Sequence, residues 1–201
     1  MWPFDPLKMF GYDVIEADPP WSFGLYSEAG EKKSAQAQYA TMPLPEIKAL
    51  PVGHLARSNA LLMLWATIPM LPDAIDTLRA WGATYKSHMV WRKVTPSGKV
   101  RWGTGYRTQS GHEIVLLGCF GQMQLHDRFP SIFDGLAREH SRKPEEFYRL
   151  VEDKTGALNR CCLFSRENRP GFDSWGNELG KFDPPPLPDT SLATAVASLE
   201  G

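Results

Sequence analysis

Residues 12–17, Tyr-Asp-Val-Ile-Glu-Ala, form a short apolar run that halts at Asp18-Pro19-Pro20-Trp21. A buried strand that meets two prolines must leave its sheet as a stiff loop, because proline fixes φ and carries no N–H; its carbonyls are expected to stay free. Residues 22–42 have neither helical nor strand periodicity and are rich in Ser, Gly, Ala, Gln and Lys. A loop of that length inside a compact domain predicts a functional lid or disorder. Pro43 to Leu50 predicts a short helix with Thr41 as N-cap. Asn59 to Trp65 is apolar almost throughout, which fits a strand buried on both faces, and a buried helical segment shares the pattern. Met70 to Trp81 carries Leu71, Ala74, Ile75, Leu78 and Trp81 at helical spacing, and Gly82 ends it.

Tyr85 to Val94 and His112 to Phe120 predict two strands of an extended hairpin, joined by the Gly- and Arg-rich connection 95–111. Residues 121–143 are irregular, with a short edge strand near Pro130 to Phe133. Pro144 to Val151 predicts a helix with Pro at its first position and Gly156 beyond its end. Asn159 to Ser165 is a last strand. Residues 166–180 are turn-rich, with a helical turn near Ser174 to Leu179. Strands alternating with helices predict an α/β sheet, mostly parallel, with the hairpin supplying an antiparallel member. Ligand loops then belong at the strand C-terminal ends, which puts Asp18 to Trp21 and Ser165 to Asn168 on one rim.

At 201 residues the chain suits one sizeable domain. That domain is expected over 1–182, followed by a Pro-rich disordered tail at 183–201. The longest apolar run, Ala60 to Ala66, is too short to span a bilayer. Three cysteines, two of them adjacent, give no disulfide framework, and five histidines show no metal spacing. No metal is therefore expected, and a reducing, cytoplasmic compartment is. A net charge of −1 argues against tight nonspecific nucleic-acid binding. Yet Lys86, Arg92, Lys93, Lys99, Arg101 and Arg107 occur with no Asp or Glu between the first and the last. A solvated hairpin has this look, and so does a flap that contacts phosphates.

The sharpest chemistry lies at residues 18–21. Asp18 offers carboxylate acceptors, Pro19 a backbone acceptor and Trp21 a flat apolar face. Together they suit a planar heterocycle with an exocyclic NH2 group: two acceptors take its N–H bonds, the indole stacks on the ring, and the lone pair faces an electrophile.

These residues resemble the MT-A70 family of N6-adenine methyltransferases, which includes the eukaryotic messenger-RNA adenosine methyltransferases and many bacterial and phage members. The resemblance runs from Tyr12 to Lys181 through blocks in the family's order. They are Ala17-Asp18-Pro19-Pro20-Trp21, Tyr39-Ala40-Thr41-Met42, Leu64-Trp65-Ala66-Thr67 and Trp81-Gly82, then Arg107 with Gly111 to Gly118. His140-Ser141-Arg142-Lys143-Pro144-Glu145, Leu163-Phe164-Ser165-Arg166 and Trp175-Gly176-Asn177-Glu178 complete them.

The resemblance implies a Rossmann-like S-adenosylmethionine-dependent fold in permuted order. It implies that Asp18, Pro19, Pro20, Trp21 and Tyr39 are catalytic, with Trp21 and Tyr39 beside the adenine. Asp18, Lys143, Arg166, Asn168, Asn177 and Glu178 would bind the cofactor, Lys143 through its carboxylate. Glu113 would lie near the substrate rim, and Arg92, Lys93, Arg101 and Arg107 are the candidate nucleic-acid contacts. Only Met1 to Gly11 precede the first strand, so Trp2 or Phe4 would cover the cofactor adenine, or nothing does. Specificity is then expected from loops 22–42 and 94–111 or from a partner, or is weak, and a homodimer or partner subunit fits. The implied activity is methylation of adenine N6 in DNA. The same reaction on RNA, or a non-catalytic subunit of the same fold, are the alternatives.

Overall fold

The computed structural model describes residues 1–22, 41–104, 107–125, 127–138 and 142–184. The first apolar run is β1 (Tyr12–Ala17). With β2 (Ala56–Ala66), β3 (Thr84–Val94), β4 (His112–Phe120), β5 (Ile132–Leu136), β6 (Arg160–Leu163) and β7 (Asp173–Trp175) it forms a sheet of order β5-β3-β4-β2-β1-β6-β7. The described α-helices are α1 (Leu44–Ala49), α2 (Leu71–Ala80) and α3 (Glu145–Thr155). β1 pairs in parallel with β2 and β6, β6 with β7, and β3 with β5. β4 alone runs against its neighbours, β2 and β3. The fold is the expected α/β class, a mostly parallel sheet with one antiparallel member.

The continuous apolar run of β2 is a strand because both of its faces are covered. Ala60, Leu62, Leu64 and Ala66 pack with Ile47 of α1 and Leu78 of α2. Leu61, Met63 and Trp65 pack on the opposite side with Phe147 and Val151 of α3. Successive strand side chains alternate faces, so a one-residue slip would exchange the two sets and press Trp65 into space built for leucine. Register is therefore tightly held, and the helical alternative for this segment is ruled out.

Several boundaries depart from expectation. Pro43, not Thr41, is the N-cap of α1, with no side-chain cap bond. Pro144 is the N-cap of α3 rather than its first residue, and that helix runs on to Thr155 before Gly156 at φ 52°. The edge strand lies at Ile132–Leu136. Ser174 belongs to β7, where a helical turn was expected. Three residues carry no period of their own, and β7 exists because it pairs with β6, Leu163 opposite Trp175.

The site follows from topology. The chain leaves β1 toward α1 on one face, and α3 feeds β6 from the other. The strand order reverses between β1 and β6, and the crevice outside their C-terminal ends is where open α/β sheets hold ligands.

Candidate active site

The Asp18 N–H reaches back to the Leu163 carbonyl at 3.4 Å, the last bond joining β1 and β6. Beyond it the proline corner is tied down. The Pro19 carbonyl accepts the Trp21 N–H at 2.8 Å, and the Pro20 carbonyl accepts the Met42 N–H at 3.0 Å. The corner's carbonyls are thus engaged, not free, although that of Pro19 keeps a second lone pair. Trp21 is also not the open face expected. Its indole N–H donates to the Trp65 carbonyl at 3.1 Å and the residue is only 6% exposed. Trp21 anchors the corner from behind.

Behind Asp18 stands a row of alternating charge. The Lys143 ammonium lies 2.9 Å from Asp18 Oδ2 and 3.0 Å from Glu113 Oε2, and 4.9 Å over the Trp65 ring. The other Glu113 oxygen takes the Lys93 ammonium at 2.6 Å. Burial pushes the Glu113 carboxyl up, but the two ammonium groups outweigh it and hold it down at about 2. Burial pulls the Lys143 ammonium down, and the two carboxylates more than reverse this, so it stays charged. Asp18 sits at the bottom of a cleft. There desolvation raises its pKa and Lys143 only partly offsets that. The row leaves Asp18 as the one carboxylate of the group open to the cleft, its side chain 31% exposed.

Glu16, two residues earlier on β1, is a feature the sequence reading passed over. It is 1% exposed. Its Oε2 accepts the Cys162 thiol, while its Oε1 and the neighbouring Trp65 indole N–H have no partner of hydrogen-bonding geometry. Burial first, and then the Asp18 charge, lift its carboxyl to about 8 against the pull of Cys162 and Lys143.

Two cavities meet at Asp18, Phe164 and Arg166. The larger, about 260 Å³, is walled by Pro19, Pro20, Met42, Pro43 and Trp175 and rimmed by Asn177 and Glu178. The smaller, about 40 Å³, runs inward past Lys143 and Arg142 to Glu16. Phe164 takes a positive φ of 62° where the chain turns off β6, a backbone state rare outside glycine. At Gly176 a Cβ would fall 2.2 Å from the Ser165 carbonyl, so the wall bearing Asn177 and Glu178 is pressed onto that turn. Phe4 is fully buried and packs edge-on against Trp175 at 5.0 Å, backing the wall instead of lining the cavity.

The remaining expected residues divide. Arg166, Asn177 and Glu178 are at the larger cavity, Arg166 stacked on Phe182 at 5.0 Å. Asn168 lies away from both, its side-chain N–H held by Asp183 Oδ2 at 2.7 Å. Asp183, expected to begin the tail, is thereby joined to the domain. Arg92 is forked onto Asp134 of β5 at 2.6 and 2.5 Å, and Lys93 is held by Glu113. Neither is an open phosphate contact. Arg101 and Arg107 are exposed. Tyr39 lies outside the described residues, as does nearly all of loop 22–42. A second ionic network at this rim had no sequence signal: Arg169 and Arg138 clasp Glu145, and Arg169 and Arg142 clasp Glu167.

A switch-point crevice with an acid-proline-proline corner and a cavity of about 260 Å³ is a ligand site of the Rossmann-like α/β class. Comparison with known proteins agrees. The MT-A70 family model matches residues 12–178, and the chain belongs to that family. It is 29% identical over 195 residues to the Type II methyltransferase M.MunI of a Mycoplasma species, covering 88% of this chain and 81% of that protein. To the mouse N(6)-adenine-specific methyltransferase METTL4 it is 26% identical over 85% of this chain and 38% of that one. To the human N(6)-adenosine-methyltransferase catalytic subunit METTL3 the figures are 25%, 84% and 28%. Among the described residues no helix is long and apolar enough to cross a membrane.

Proposed function

We propose that this chain transfers a methyl group from S-adenosylmethionine to the N6 amino group of adenine in DNA. The observation that carries the reading is Asp18: a carboxylate oriented by a buried lysine, at the junction of two cavities, beside a carbonyl with an unused lone pair.

An adenine amino nitrogen is a poor nucleophile because its lone pair is delocalised into the ring. Asp18 accepts one N–H and the Pro19 carbonyl the other, which favours a pyramidal nitrogen and stabilises the positive charge that grows on it. Such fixed acceptors need no reorganisation as the reaction proceeds. Lys143 and Glu113 hold the Asp18 carboxylate in place, so Lys143 is a positioning residue whose third ammonium proton remains for an anion in the smaller cavity. The larger cavity's chemistry fits a nucleoside: Trp175, Phe164 and the prolines would hold a base, Asn177 would meet its polar edge, and the Glu178 oxygen not taken by Lys181 would accept ribose hydroxyls. When bound, S-adenosylmethionine would supply an electrophilic methyl on a sulfonium, whose S–CH3 bond breaks as the N–CH3 bond forms and which leaves as the neutral thioether of S-adenosylhomocysteine. The product nitrogen loses its extra proton to water without a strong base.

DNA is preferred over RNA on the likeness to the Type II methyltransferase, 29% identical over 195 residues. Matched DNA and RNA oligonucleotides, methyl-labelled cofactor and mass spectrometry of the digested nucleosides test this. N6-methyldeoxyadenosine is expected, and label in RNA alone would overturn the DNA assignment.

A further inference from the structure

We infer that Trp102 is a base-stacking platform that holds single-stranded nucleic acid beside the methyl-acceptor cleft. The inference rests on the proposed function and extends it to the nucleotides that flank the target. β3 runs parallel to β2 and β1, so the connection 95–111 leaves the sheet at the rim that carries Asp18. The contacts from Lys93 through Glu113 and Lys143 to Asp18 join its root to the cleft.

Trp102 is placed, not adrift. The Arg101 N–H donates to the Lys93 carbonyl at 2.8 Å and the Gly103 N–H to the Ser110 carbonyl at 2.7 Å, so the backbone is pinned on both sides of it. The ring lies across Gly111, where a Cβ would come within 2.8 Å of Cζ3. Glycine at 111 therefore makes the shelf on which the indole rests. The residue is nevertheless 62% exposed, the one large apolar side chain so exposed among the described residues of this connection. On the same connection Lys99, Arg101 and Arg107 are exposed, and no Asp or Glu occurs between 95 and 111. An exposed aromatic face on a connection that carries cations and no acidic residue of its own matches a polyanion that presents ring faces. A duplex hides those faces in its stack, whereas a single strand offers them. A protein partner or second copy would call for a wider apolar patch than a lone indole.

The test uses the full chain and a fluorescent single strand of about a dozen nucleotides containing one adenine, with a second strand abasic at the positions flanking it. Base–aromatic stacking predicts that Trp102→Ala weakens binding of the intact strand about tenfold by anisotropy, while Trp102→Phe keeps most of the affinity. The abasic strand should bind wild type about as weakly as the intact strand binds Trp102→Ala, with little further loss in the variant. The slope of log affinity against log salt should be unchanged in Trp102→Ala and shallower by about 0.7 in Arg101→Ala. Equal affinity in Trp102→Ala overturns the platform, as does an equal loss on intact and abasic strands, or a changed sedimentation coefficient with unchanged affinity. Methyl transfer by the wild-type chain is scored in parallel. Its absence would overturn the proposed function while leaving the binding result to stand separately.

Discussion

Replacing Glu16 with glutamine should stabilise the protein, and the amount should depend on pH. The carboxyl is lifted from its ordinary 4.5 to about 8 by burial beside Asp18. Unfolding releases that constraint, so above pH 4.5 the unfolded chain ionises Glu16 while the folded chain must keep it protonated. Folding stability is thus fully present below about 4.5 and is lost as pH rises through about 8. At pH 7 the gap of ~2.5 pH units, at ~1.36 kcal/mol each, amounts to about 3 kcal/mol. Glutamine keeps the shape, never ionises, and leaves one buried polar group as poorly satisfied as the neutral acid leaves it. Glu16→Gln should therefore gain about 3 kcal/mol at pH 7 and about 1 kcal/mol at pH 5. Urea titrations followed by circular dichroism at pH 5, 6, 7 and 8 measure this directly. A difference that does not vary with pH, or a glutamine variant less stable at pH 7, would refute the assignment of a neutral buried acid. A group that weakens its own fold two residues from Asp18 marks β1 as shaped by the site as well as by packing.

Three other outcomes follow from the geometry. Lys143→Met leaves the Asp18 and Glu113 carboxylates facing each other without their shared cation; a loss of about 3–5 kcal/mol in urea titration is expected, and a loss under about 1 kcal/mol would contradict the buried bridge. Gly176→Ala places a methyl against the Ser165 backbone, which cannot swing aside as a side chain can. Stability should fall by about 1–3 kcal/mol and cofactor affinity by calorimetry should fall with it, so an unchanged melting temperature would count against the packed wall. Arg92→Ala removes a guanidinium already clasped by Asp134, so single-strand affinity and its salt slope should be unchanged. A shallower slope would restore Arg92 as a phosphate contact.

Much of the sheet was legible because its signals are local. The run from Asn59 to Trp65 carries its burial on both faces in its own composition, and Asp18-Pro19-Pro20 marks where β1 must stop. What escaped were features decided by partners distant in sequence. An indole after two prolines reads as an open lid, and only the Trp65 carbonyl across the sheet shows that Trp21 faces inward. Arg92 and Lys93 read as a basic stripe because Asp134 and Glu113, which neutralise them, become neighbours only once β5 and β4 flank β3. Asn168 resembles a cofactor contact by motif, yet Asp183 takes its donors. Glu16 was hidden for the same reason: in sequence it is one acid in an apolar strand, and Cys162 and Trp65, which enclose it, come from β6 and β2.

The central claim is that Asp18 accepts from the amine being methylated. Single-turnover methyl transfer to an adenine-containing strand, wild type against Asp18→Asn with cofactor binding confirmed for each, tests it most directly. The amide offers a donor where an acceptor is required, and the rate should fall about 100- to 1000-fold while cofactor affinity changes far less. An Asp18→Asn enzyme that transfers methyl within a few-fold of wild type would contradict the account.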